Sequence, residues 1–160
     1  MSENVEKAFA LFQAAEGKES ATGEWMEVDQ EIINQFADVT RDHQFIHIDP
    51  ERAKATPFGT TIAHGFLTLS MLTHLSESAA PENPDPARFK GLAMGVNHGF
   101  DKVRFISPVK VGSRIRVQSL LSKVELKGNA IQQTRTMTVE IDGEQKPALV
   151  ADWITRAVYA

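Results

Sequence analysis

Cysteine is absent from the 160-residue chain, which removes disulfides, thiolate nucleophiles and cysteine-held metals together. No apolar run approaches the ~18–20 residues that a bilayer-spanning helix needs. The opening MSENVEKAFALFQAAEGKE is interrupted by Glu6, Lys7 and Glu16 and lacks the basic-then-apolar order of a secretory signal. A cytoplasmic protein without a membrane partner is the expectation. Positive charge is in deficit, at a formal net charge of −4, and phosphate backbones want a clustered positive field, so no nucleic-acid partner is expected. No Gly-x-Ser-x-Gly elbow is present to support a serine hydrolase. Internal repeats and low-complexity tracts are missing as well.

What remains is an ordinary globular composition, 42% apolar and 24% charged. A chain of this length suits one domain, spanning 1–160, that buries roughly 70% of its extended surface. Val5, Ala8, Phe9, Phe12 and Ala15 recur at three- and four-residue spacing, which predicts an N-terminal helix over about 3–16, ended by Gly17. EWMEV (24–28) alternates like a short strand. Asp29 then reads as the cap of a helix with Ile32, Ile33, Phe36 and Ala37 on one face. Asp49-Pro50 repeats that start signal, predicting a short helix over 50–55 and leaving 42–48 as an irregular link. From Gly65 onward, Phe66, Leu67, Leu69, Met71, Leu72 and Leu75 make a helix apolar on most sides, and such helices are buried. PENPDP (81–86) is a loop.

Beyond that loop the period falls to two. Val103 and Phe105 alternate with Lys102 and Arg104, and three further long strands follow, with Gly128-Asn129 and Asp142-Gly143 marking hairpins. Helices first and strands later predict an α+β fold, an antiparallel sheet of about five strands curled around one long central helix.

Chemistry concentrates in DHQFIHIDP (42–50). Asp42 and His47 stand five apart on an unfixed link, and carboxylate plus imidazole is the minimal pair for moving protons near neutral pH. Spacing alone leaves a second reading open, in which Asp42 caps a turn and His47 is a hydrogen-bonded core histidine. IAHGF adds a glycine at the start of the apolar helix, where N–H groups lack intrahelical partners and a ligand approaches the backbone closely. His43, His47, Asp49 and His64 form a possible metal set, but four-residue histidine spacing aligns ligands only within a helix. The Asp49-Pro50 cap starts that helix too late, so no metal is expected. His74 and His98 read as ordinary surface or structural residues.

FADVTRDHQFIHIDPERAKATPFGTTIAHGF, together with FDKVRFISPVKVGSRIRV, resembles the MaoC-like family of hot-dog-fold proteins, which includes the R-specific enoyl-CoA hydratases. Within it the chain is most similar to the branch labelled nodulation-protein-N-like. The resemblance runs from about Trp25 to Tyr159 and implies a hydro-lyase of fatty acid metabolism, reversibly adding water to trans-2-enoyl-CoA to give R-3-hydroxyacyl-CoA. Asp42 and His47 match the family's catalytic dyad, and Gly65 matches the glycine whose N–H binds the thioester oxygen. The coenzyme A thioester is the substrate, no separate cofactor is implied, and a homodimer is expected. Gln44 stands where the family usually has Asn, and Phe45 where it has Pro; Thr73 replaces a frequent Ser.

Phe58, Ile62 and Phe66 are candidate walls for the acyl chain, with Gln44, His64, Thr73 and Asn97 as further substrate-binding candidates. Arg104, with Lys102, Lys110, Arg114 and Arg116, supplies cations from which one or two would meet the CoA phosphates. Two other functions stay open on these residues: a hot-dog acyl-CoA thioesterase and a non-catalytic acyl-binding module.

Overall fold

The computed structural model describes residues 3–81 and 83–160; Glu82, inside the expected 81–86 loop, lies outside the described residues. Helix α1 (Glu3–Ala15) ends as expected before Gly17, whose φ of +72° suits a residue without Cβ. Short strands β1 (Ser20–Thr22) and β2 (Met26–Val28) lead to α2 (Gln30–Thr40). Asp29 caps α2 by accepting from the Ile32 N–H at 2.8 Å, and Asp49 caps α4 (Pro50–Ala53) through the Arg52 N–H at 3.0 Å.

Between them the expected irregular link contains a single helical turn, α3 (Phe45–Ile48). Gln44 gives this turn no side-chain cap. Tertiary bonds hold it instead: the Ile62 N–H reaches Ile46 O at 3.0 Å, and Gln30 Nε2 reaches His47 O at 2.7 Å.

The central helix comes in two pieces, α5 (Gly65–Ser70) and α6 (Leu72–Ser78). They run end to end through Met71, whose N–H reaches Leu67 O and whose carbonyl accepts from the Leu75 N–H, both at 2.9 Å. A 3-10 turn (Pro86–Arg88) then precedes the long strands β3 (Leu92–Phe105), β4 (Ser113–Lys127), β5 (Ala130–Ile141) and β6 (Leu149–Tyr159).

These form one antiparallel sheet of six strands in the order β1-β4-β5-β6-β3, with β2 also on β4. The expected simple alternation at the end of β3 is broken by a bulge between Asp101 and Arg104, where Lys102 takes a φ of +52°. Leu67, Leu72 and Leu75 of the central helix pack on Ile115, Val117, Met137, Val139, Leu149 and Ala151. Period-two strands under a period-3.6 helix therefore supply the main core.

Gly23 sets the spacing of that contact. An added Cβ would stand 2.8 Å from Leu75 O and 2.9 Å from Ser78 Oγ. Gly23→Ala is therefore expected to push α6 off β4 and to destabilise the chain by about 1–3 kcal/mol. A chemical denaturation midpoint equal to that of the parent would contradict this packing.

A second apolar cluster joins Val5, Ala8 and Phe12 of α1 to Leu121, Val124, Ile131 and Tyr159 at the far end of the same sheet. Between the two clusters lies an ion belt. Glu19 receives Arg135 Nη2 at 2.7 Å and Arg88 Nη1 on its other oxygen, all three side chains being mostly buried. Burial raises the Glu19 pKa, but hydrogen bonds from Arg135 and Arg88 outweigh it and hold the carboxyl below its usual range.

Candidate active site

His47 sits on α3 with 7% of its surface exposed. Its Nδ1 donates to Ile62 O at 2.7 Å, because a carbonyl can only accept; the neutral ring then carries its lone pair on Nε2. Burial pushes the His47 pKa down and nearby His64 adds to that, against upward pulls from the Ile62 hydrogen bond and the Asp42 charge. The net result is an imidazole that stays neutral below the usual histidine range.

Asp42 follows Arg41, the αL residue that ends α2 at φ +63°, so the chain turns sharply before the carboxylate. Asp42, His47 and His64 each offer a ligand atom, and the three atoms lie within 4.8 Å of one another. That separation suits three groups around one water, each about 2.8 Å from its oxygen.

It suits a metal ion poorly. The His47 and His64 rings stack with centroids 3.8 Å apart and planes inclined by only 25°. Their in-plane lone pairs run side by side and do not meet at the ~2.0–2.1 Å of a zinc–nitrogen bond.

Beside His47 opens a cavity of about 290 Å³ lined by Phe58, Ile62, Gly65, Phe105, Ile106 and Val109, among others. Its walls are mostly apolar, as a site for an acyl group requires. Gly65 is the first residue of α5, where N–H groups lack intrahelical acceptors. A Cβ there would lie 3.0–3.2 Å from the Phe105 ring, so the close approach of the cavity wall depends on glycine.

The candidates read from sequence divide accordingly. Asp42, His47 and His64 converge, and Phe58, Ile62 and Gly65 line the adjoining cavity. Gln44 is exposed at the start of α3. Phe66 was expected as a wall residue of a fully buried helix; it is 68% exposed, with its ring edge-on to Phe105 at 6.0 Å. It points outward because the single chain leaves that side of α5 uncovered. Thr73 and Asn97 line a different concavity with Phe12 and Trp153; the Thr73 hydroxyl donates to Ser70 O, and the Asn97 carbonyl accepts from Trp153 Nε1 at 2.7 Å.

Of the five cations, Lys102, Arg114 and Arg116 pair with Asp152, Asp142 and Glu140. Arg104 and Lys110 have no carboxylate partner among the described residues, and Lys110 adjoins the cavity residue Val109.

Sequence reasoning missed the supporting frame. Thr61 Oγ1 donates to Gln30 Oε1 while Gln30 Nε2 holds His47 O, a relay between residues 31 positions apart. Phe105 as the neighbour of Gly65 was also missed. Neither leaves a local pattern in the sequence, because both depend on distant segments meeting.

The sequence model described as "MaoC like domain" matches residues 11–143. "3-hydroxyacyl-thioester dehydratase Z" of Mycobacterium tuberculosis is 49% identical over 153 residues, covering 95% of this chain and 97% of that protein. "Nodulation protein N" of Rhizobium meliloti is 50% identical over 145 residues, 89% of this chain and 86% of its own. Among solved structures, a "Monoamine oxidase regulatory protein" of Archaeoglobus superposes with a TM-score of 0.77 at 25% identity, covering 93% of this chain and 94% of its own. A wrapped antiparallel sheet, a paired helix at its centre and a sequence match across most of the chain agree on one ancestry: the chain belongs to the MaoC-like dehydratases, of hot-dog fold.

Proposed function

We propose that the chain is an R-specific enoyl-CoA hydratase, adding water reversibly to a trans-2-enoyl-CoA. The observation that carries this reading is the convergence of Asp42 and a neutral, oriented His47 beside an apolar cavity walled by Gly65. The relative named as a 3-hydroxyacyl-thioester dehydratase supports the same chemistry, written in the reverse direction.

In this reading Asp42 and His47 Nε2 hold one water. His47 takes a proton as the water oxygen forms its bond to C3. Charge moves from the double bond to the thioester oxygen, which meets the Gly65 N–H at the first turn of α5. The imidazolium then returns its proton to C2, so that one water is consumed and neither oxidant nor metal is required. The CoA portion extends out of the cavity, and Lys110, next to the cavity residue Val109, is a cation free of carboxylate partners among the described residues.

Mixing the purified protein with crotonyl-CoA and with a longer enoyl-CoA tests this. Loss of the conjugated double bond and an R-configured alcohol are expected, without release of free thiol. Thiol release in place of hydration would favour the thioesterase reading, and binding without turnover the acyl-binding one.

The working unit in this reading is a homodimer. Strand β3 forms one edge of the sheet, with Leu92, Met94 and Val96 at alternate positions 38%, 56% and 43% exposed. Open apolar edges invite pairing with a second chain. Sedimentation equilibrium is expected to give twice the 17.7 kDa chain mass, and Met94→Lys with Val96→Lys is expected to halve it. A parent protein that sediments as single chains would remove the dimer.

A further inference from the structure

We propose that His64 is a positioning residue of the water-adding site, holding the main chain of Asp42 with one edge and backing the ring of His47 with its face. The inference rests on the hydratase reading above and deepens it.

His64 closes the extended segment that precedes α5 and is only 3% exposed. Its Nε2 donates to the Asp42 carbonyl at 3.0 Å. Asp42 needs that anchor. The only other hydrogen bond it makes among the described residues comes from the Gln44 N–H to its side chain, at a long 3.4 Å. The αL turn at Arg41 and the uncapped start of α3 leave the chain between them without a ladder of its own.

One face of His64 lies on His47 at 3.8 Å, and the ring of Phe36 approaches at 5.1 Å. A side chain placed so cannot swing without dragging either partner. Its Nδ1 is buried and has no hydrogen-bond partner among the described residues. A buried acceptor left open is costly, and His64 offers one of its ring nitrogens to the cluster it forms with Asp42 and His47.

Two chemical demands therefore meet in one ring. It must donate at Nε2 and present a flat face to His47. A merely structural core histidine would need only the volume, which phenylalanine also supplies.

His64→Phe and His64→Gln separate the two roles, since phenylalanine keeps the stacked ring and glutamine keeps a donor at the place of Nε2. His64→Phe is expected to fold, with parent-like far-UV dichroism and melting, and to lose about a hundredfold in kcat with little change in KM. His64→Gln is expected to recover most of that loss. Because the effect passes through Asp42, adding His64→Phe to Asp42→Asn is expected to cost far less than it does alone. Parent-like turnover in a folded His64→Phe, or a loss that multiplies fully with that of Asp42→Asn, overturns the inference while the hydratase reading stands. A parent chain that hydrates no enoyl-CoA overturns both.

Discussion

Replacing His47 by alanine is expected to lower kcat for crotonyl-CoA hydration by about 10²–10⁴, the range a positioned general base supplies. Nδ1 is committed to Ile62 O at 2.7 Å, so the neutral ring has its basic nitrogen at Nε2, and burial keeps it neutral below the ordinary value of about 6.5. On the proposed mechanism alanine removes the base and leaves the Asp42 carboxylate with a water that nothing deprotonates. Asp42→Asn is expected to do comparable damage from the other side, since an amide presents a donor where the water needs an acceptor.

The loss should appear equally in kcat and kcat/KM, because proton removal contributes only in the transition state. The double variant should be little worse than either single one, as for groups that act together. The pH dependence carries the sign. In the proposed mechanism activity requires unprotonated His47, whose folded pKa is depressed, so the acid limb of kcat/KM should fall below the usual histidine midpoint and disappear in His47→Ala. Parent-like rates in both single variants would end the mechanism. A steep acid limb centred above 6.5 would contradict the environment described for the ring.

The second large effect belongs to Gly65. A Cβ there meets the Phe105 ring at 3.0–3.2 Å, and valine adds two further carbons at the same place. Either Phe105 leaves the cavity wall or the first turn of α5 retreats, and both change the distance between the Gly65 N–H and a thioester oxygen. Donors to an oxyanion are worth about 10²–10³ in kcat, and Gly65→Val is expected to lose a comparable factor without unfolding. Gly65→Ala should be milder, because Phe105 is half exposed and has room to turn outward. Shortening the neighbour in Gly65→Ala/Phe105→Leu should restore part of the rate. Full turnover in Gly65→Val would show that neither the close wall nor the N–H position matters.

Much of this was legible in the chain. Asp29 and Asp49-Pro50 announced two helix starts because capping is chemistry between residues two or three apart. The long strands announced themselves by alternation, whereas residue type and spacing made Asp42, His47 and Gly65 candidates only, and their roles came from the resemblance to the MaoC-like family. What escaped was set by segments that meet only in three dimensions. The α3 turn has no cap and exists because Ile62 and Gln30 grip it. The bulge at Lys102 is imposed by pairing with β6 rather than by a glycine. Phe66 looked like core because apolar periodicity does not distinguish a neighbour within the chain from bare surface. Thr73 was drawn from resemblance, Asn97 from its Asn-x-Gly turn and Arg104 from a run of cations, and none of the three lines the cavity.

Asp42 and His47 hang from one short template. Thr61 O and the Ala63 N–H are tied to residues 111 and 109, Ile62 O accepts from His47, and His64 donates to Asp42 O. The connector between His47 and Thr61 is therefore not the ruler that spaces the two side chains. It carries α4, whose Ala53 is buried, and touches the cavity through Phe58. Changes around Phe58 are therefore expected to reshape the cavity wall while leaving the spacing of Asp42 and His47 as it is.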